Sequence, residues 1–118
     1  MRKPTLGDTM YFVREHFYRV PGHAAPLVEY CVCEGTVCGF FTGKYKEVEL
    51  TGKNPDGFQT PAYFKMSQIG KTLFFSPEAA AKLAEKKTDE YEKVWGWVGA
   101  PQFPMRRSFA HFLRKEEQ

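Results

Sequence analysis

The sequence predicts an α+β domain: a curled antiparallel sheet or small partly open barrel of about five to six strands, followed by one long and one short C-terminal helix. Three observations carry this. Segments rich in aromatic and β-branched residues fill the chain as far as Phe75. Helix signals begin only afterwards, at Ser76-Pro77-Glu78. No polar linker separates the two regions, so strands and helices belong to one core.

The run 9–20 lies between Gly7-Asp8 and Pro21-Gly22 and is dense in strand formers, which predicts one or two strands. Two prolines and a glycine make 21–26 a loop. Glu34-Gly35 then stands between the apolar runs 28–32 and 37–41, and its glycine suits a tight turn, so a β-hairpin is expected. Across a two-residue turn Cys31 faces Cys38 and Val32 faces Val37. Alternation puts Val28, Tyr30, Val32, Val37 and Phe41 on the core side, with Glu29, Cys31, Cys33, Thr36, Cys38 and Phe40 opposite. Segment 45–50 alternates as a strand and runs into the turn formers of 51–57. Segments 60–66 and 72–75 are expected to pair as a second hairpin through 67–71.

Ser76 supplies a side chain able to cap a helix, Pro77 suits the first helical position, and Glu78 favours the positive end of the dipole. Ala79, Ala80, Leu83 and Ala84 form a narrow apolar stripe, and Lys86 and Lys87 suit the other end. The stretch 89–98 fits two patterns. Asp89 with Glu92 would cap further helix, whereas Tyr91, Lys93, Trp95 and Trp97 alternate as in a strand. Beyond the break at 99–104, Met105, Phe109, Phe112 and Leu113 recur at helical spacing, which predicts the short terminal helix.

The 118 residues suit a single domain, with 6–87 as sheet core plus capping helix and 88–118 as a C-terminal extension. Hydrophobic residues make up 42%, but 11 Phe, 6 Tyr and 2 Trp put much of that surface into large rings, enough for a substantial core. No stretch approaches the roughly 18 apolar residues of a membrane span, and Pro4, Gly7 and Asp8 interrupt any export signal at the start. The three cysteines cluster in 31–38, unlike a disulfide framework, so a soluble protein of the reducing cytoplasm is expected. A net charge of +3 is too small by itself to name a polyanionic partner.

Gly7-Asp8-Thr9-Met10-Tyr11, the turn-like Glu34-Gly35-Thr36-Val37, and Thr72-Leu73-Phe74-Phe75-Ser76-Pro77-Glu78-Ala79-Ala80 resemble a class of small bacterial proteins. Members of that class open with a Gly-Asp-x-x-Tyr strand and close with a Phe-strand running into a capped Glu-Ala helix. The resemblance covers about 6–86 and implies an SH3-like barrel, often encoded on phages or other mobile elements, mostly without assigned activity. It carries over no site residue. The stretch from Asp89 onward, with Trp95-Gly96-Trp97, departs from the pattern and is where an added function is expected.

Among candidate sites, Cys31, Cys33 and Cys38 with His16 or His23 have ligand types suited to zinc, but without the usual Cys-x-x-Cys spacing. Three small, partly buried thiols are the simpler account, with Cys31 and Cys38 placed for a strained cross-strand bridge on oxidation. Ser108 and His111 lack an orienting acid, and Asp8, Glu15 and His16 have the groups for an acid and base site, although Asp8 more simply ends the turn before the first strand. No phosphate-loop, dinucleotide or metalloprotease motif is present, so neither an enzyme, nor a cofactor, nor a small-molecule substrate is indicated. Arg106, Arg107, Arg114 and Lys115 surround the apolar stripe of the terminal helix, and Lys44 and Lys46 extend the basic set. Trp95 and Trp97, with Phe17 and Tyr18, are candidates to stack on bases or anchor a protein.

The function expected is therefore a non-enzymatic binding module for a macromolecular partner, either nucleic acid or protein. The alternatives are an anti-CRISPR-like, phage-borne inhibitor of a host nuclease or defence complex, and a small zinc or thiol-redox protein.

Overall fold

The computed structural model describes residues 2–19, 21–22, 27–44, 46–53 and 59–96. The elements in chain order are β1 (Thr9–Tyr18), β2 (Leu27–Thr42), β3 (Lys46–Lys53), β4 (Gln59–Lys65), a 3-10 turn (Met66–Gln68), β5 (Leu73–Phe74) and α1 (Pro77–Gly96). The strands form one antiparallel sheet in the order β4-β3-β2-β1-β5, so the α+β class holds, with five strands.

The hairpin expected at Glu34-Gly35 does not form. Those residues lie in the middle of β2, a single 16-residue strand. A tight hairpin turn draws on positive φ, and Gly35 is not among the glycines that have it. The competing interaction is the ladder with β1, which pairs Tyr11 with Glu34 and Met10 with Gly35. A hairpin would break those pairs. β2 instead serves two partners, pairing with β1 over 27–36 and with β3 over 35–42.

Where β2 passes from one partner to the other, Gly35 lies opposite Gly52 of β3. A Cβ on Gly35 would lie 3.0 Å from the Thr51 carbonyl oxygen, and one on Gly52 would collide with the Glu34 carbonyl oxygen. Two residues without side chains let the backbones meet here. The sheet curls around this crossing. The Phe12 ring of β1 reaches the Phe64 ring of β4, with centroids 5.1 Å apart, although the two strands stand about 14 Å apart at the spacing of a flat sheet. β5 pairs with β1, and no β4–β5 ladder shuts the curl, so the sheet is not closed into a barrel.

For the same reason 60–66 and 72–75 are not a hairpin. β4 and β5 occupy opposite edges of the sheet, joined by the 3-10 turn and a turn at Gly70, whose φ is +88°. β3 runs to Lys53, three residues into the expected turn region.

Continuity of β2 also rearranges the two expected faces. Inside the curl, Met10, Phe12, Cys33, Val37, Val48, Leu50, Ala62, Ile69 and Leu73 form the main core. Val32 faces the other way and packs with Ala80, Ala81 and Ala84 of α1, beside Tyr11, Val13, Tyr30 and Phe74. Val37 thus shares a face with Cys33 and not with Val32, because positions along one strand alternate whereas hairpin partners do not.

α1 starts as the sequence indicates, with Ser76 Oγ accepting the Ala79 N–H at 3.2 Å. Its alanine stripe covers the outside of β1 and β2. The open question at 89–98 resolves to helix as far as Gly96, so α1 runs unbroken past residue 88. Inside it, buried Thr88 donates its hydroxyl to the Ala84 carbonyl at 2.8 Å. The short helix expected from Met105 lies outside the described residues. No helix among those described is long and apolar enough to cross a membrane.

The N-terminal turn is tied to β2 by Gly7 N–H to the Val37 carbonyl and Val37 N–H to the Asp8 carbonyl. The Asp8 carboxylate accepts the Thr5 N–H at 2.8 Å and faces the Arg2 guanidinium at 3.2 Å. The Thr5 hydrogen bond, aided by Arg2, holds the Asp8 carboxyl below its ordinary range.

Two predictions follow from this packing. Gly52→Ala should lower stability in urea titrations by about 1–3 kcal/mol. Gly43→Ala, where a Cβ meets nothing within 4 Å, should change it by less than about 1 kcal/mol; equal losses would show that the crossing is not tight. Because the folded pKa of Asp8 is depressed, its contribution is complete above its ordinary value near 3.8 and disappears as pH falls through the lower folded value. The stability gap between wild type and Asp8→Asn should therefore narrow below about pH 4, and a gap independent of pH would contradict the assignment.

Candidate functional site

A β-bulge sets up the most exposed aromatic surface among the described residues. In the β2–β3 ladder Val37 pairs with Leu50 and Gly39 with Glu49, which leaves Cys38 as an extra residue. The insertion reverses the alternation beyond it. Without it Phe41 would share the core face of Val37. With it Phe40 stands opposite Val48 at the rim of the curl, and Phe41 turns to the outer face with Glu47.

On that outer face Phe41 meets Tyr63 of β4 across β3, with ring centroids 5.8 Å apart and planes tilted by 54°. Phe40, Phe41 and Tyr63 are 42%, 48% and 53% exposed, the last two together on the outer face and Phe40 on the other side of β2. Each leaves on the order of 100 Å² of apolar surface in water, and covering it would contribute roughly 2 kcal/mol per ring. The rest of the outer surface here is mixed. Glu47 stands beside Lys65 and Glu49 beside Tyr63 on neighbouring strands, while Lys44 and Lys46 are exposed at the β2–β3 connection.

The other expected site residues fall elsewhere. Trp95 is in the last turn of α1. The Trp95 and Tyr18 side chains, and Trp97, Arg106, Arg107, Ser108, His111, Arg114, Lys115 and His23, lie outside the described residues. Phe17 is exposed near the end of β1.

The three cysteines do not converge. Cys31 and Cys38 are seven positions apart on one extended strand, roughly 23 Å, so the cross-strand bridge and the shared zinc site have no geometric basis. Among the described residues no three His, Cys, Asp or Glu side chains stand together as a metal-ligand group. Asp8, Glu15 and His16 are likewise separated. Asp8 belongs to the N-terminal turn, His16 pairs across the ladder with Glu29 near the far end of β1, and Glu15 points to the opposite face.

The inner face continues past the apolar core into a polar strip of Arg14, Cys31, His16 and Glu29. Glu29 is only 2% exposed, and its Oε1 accepts the Cys31 thiol at 2.7 Å. Cys33, buried next to Phe12, has its thiol pushed up to about 11 by desolvation, with Arg14 pulling weakly the other way. A thiol so placed is a packing group and not a nucleophile at neutral pH.

Sequence reasoning put Phe41 in the core and missed the patch. One signal was available: Phe40 and Phe41 are adjacent, and two consecutive strand residues cannot both point inward.

No protein-family model, curated protein or solved structure matches the chain.

Thiol labelling at pH 8 should separate the cysteines. Cys38, exposed in the bulge, should react with a chromogenic disulfide in the folded protein, and Cys38→Ser should remove that fast phase. Cys33, with about one thiol in a thousand ionised at that pH, should react only on unfolding. Native-state labelling of Cys33 would refute its burial.

Proposed function

We propose that the protein is a non-enzymatic binding module that docks a protein partner on the outer surface formed by Phe41 and Tyr63, with Phe40 at its rim. The observation that carries this is the exposed ring cluster itself. In a chain whose other described rings largely pack into two cores, the Phe41–Tyr63 pair left in water on one face marks a surface completed by something else. Glu47 and Glu49 lie on the same face as the ring pair, so a phosphate backbone crossing it would meet two carboxylates. That favours a protein over a nucleic acid.

The finer reading of the sheet as SH3-like is supported by the strand order, the long β2 shared by two partners, and the 3-10 turn leading to β5. A host-directed inhibitor of mobile-element origin is a narrower form of the same proposal and rests on the sequence resemblance alone.

The test is a photo-crosslinker placed at Lys65, exposed beside the ring pair on the same face, with Lys82 on the exposed side of α1 as control. A discrete protein adduct at Lys65 only, lost in Phe41→Ser/Tyr63→Ser, is expected. The double variant should keep its stability within about 1 kcal/mol, since both are surface positions. If a single-stranded oligonucleotide binds instead, with affinity falling steeply as salt rises and with Lys44→Ala/Lys46→Ala weakening it, the nucleic-acid reading replaces this one.

A further inference from the structure

The docking face has a charge pattern that selects its occupant. Glu47 and Glu49 project from β3 on the face where Phe41 and Tyr63 meet. Glu47 has the cationic Lys65 beside it on β4, whereas the pairing partners of Glu49 are Gly39 and Tyr63, which carry no charge. The absence of a side chain at Gly39 leaves a seat for the acid: a Cβ there would stand 3.3 Å from Glu49 Oε2. The carboxylate is therefore held against the sheet next to the rings, half-buried, where an ion pair is less screened than in open water.

We propose that this face binds an arginine side chain of the protein partner, its guanidinium laid on the Phe41–Tyr63 pair and its N–H groups directed to the Glu49 carboxylate. The inference rests on the docking reading above and names the chemistry of the partner. Arginine fits for three reasons. Its planar cation stacks on a ring while still donating in its own plane, its stem covers apolar surface, and it is weakly hydrated compared with an ammonium. The chain uses the same combination within itself. The Arg2 guanidinium lies 4.4 Å from the centre of the Phe75 ring while it pairs with the Asp8 carboxylate at 3.2 Å. Acidic segments and phosphates are disfavoured at the same place by Glu47 and Glu49.

The test uses the full chain and the peptide Ac-Gly-Leu-Arg-Leu-Gly-NH2, with counterparts carrying citrulline, lysine or glutamate in place of arginine. Amide resonances of Phe41, Glu49 and Tyr63 should move saturably with the arginine peptide. Affinity should fall about tenfold for citrulline, which keeps the shape and loses the charge, and by a similar factor for the arginine peptide on Glu49→Gln. Equal affinity for arginine and citrulline, no shifts at these residues, or patch resonances that move with protein concentration alone, as for a second copy, would each overturn the assignment. The two proposals fail separately. Crosslinking at Lys65 that is lost in Phe41→Ser/Tyr63→Ser but unchanged in Glu49→Gln removes the arginine and keeps the docking surface. Crosslinking unchanged in the double variant removes both.

Discussion

The rest of this fold depends on the close contact of Gly35 and Gly52. β2 can serve β1 with its first half and β3 with its second only if its backbone turns at the changeover while both ladders stay intact. A side chain at either glycine would press on the neighbouring backbone, so the absence of both Cβ atoms permits the bend. From that bend come the curl that brings Phe12 to Phe64, the enclosed main core, and an outer surface against which the alanine stripe of α1 packs.

The bulge at Cys38 has a comparable role for the candidate site. One inserted residue separates a β2 segment whose odd positions face the core from one whose odd positions face outward. The change of phase brings Phe41 to Tyr63 and seats Glu49 over Gly39. Ring surface and carboxylate become neighbours through backbone pairing, although the residues involved are spread over three strands. The surface that results is apolar and acidic at its centre, with Lys44, Lys46 and Lys65 at its margin.

The thiols illustrate how one backbone error propagates. With Glu34-Gly35 read as a turn, Cys31 and Cys38 become neighbours, and redox and metal chemistry follow. With β2 extended they are far apart, and each acquires a different environment: Cys31 hydrogen-bonded to a buried glutamate, Cys33 closed in the core, Cys38 exposed in the bulge. The polar strip at the end of the inner face, with Glu29 at its deepest point, belongs to the same strand parity that sets the core.

Local chemistry was enough to determine the strand-rich first part, the loop at Pro21-Gly22, the start of α1 at Ser76-Pro77-Glu78 and the α+β class, because propensity, capping and turn formers act within a few residues. Tertiary structure alone decided that Glu34-Gly35 stays extended, that β5 joins β1 and not β4, and that Phe41 faces outward. In each of these cases local signals allowed two conformations of similar cost. Along β2 the choice was made by its long-range partners β1 and β3, whose paired ladders outweigh the preference of a short turn, whereas 89–96, mostly exposed, extend a helix already anchored by Ala80, Ala81 and Ala84.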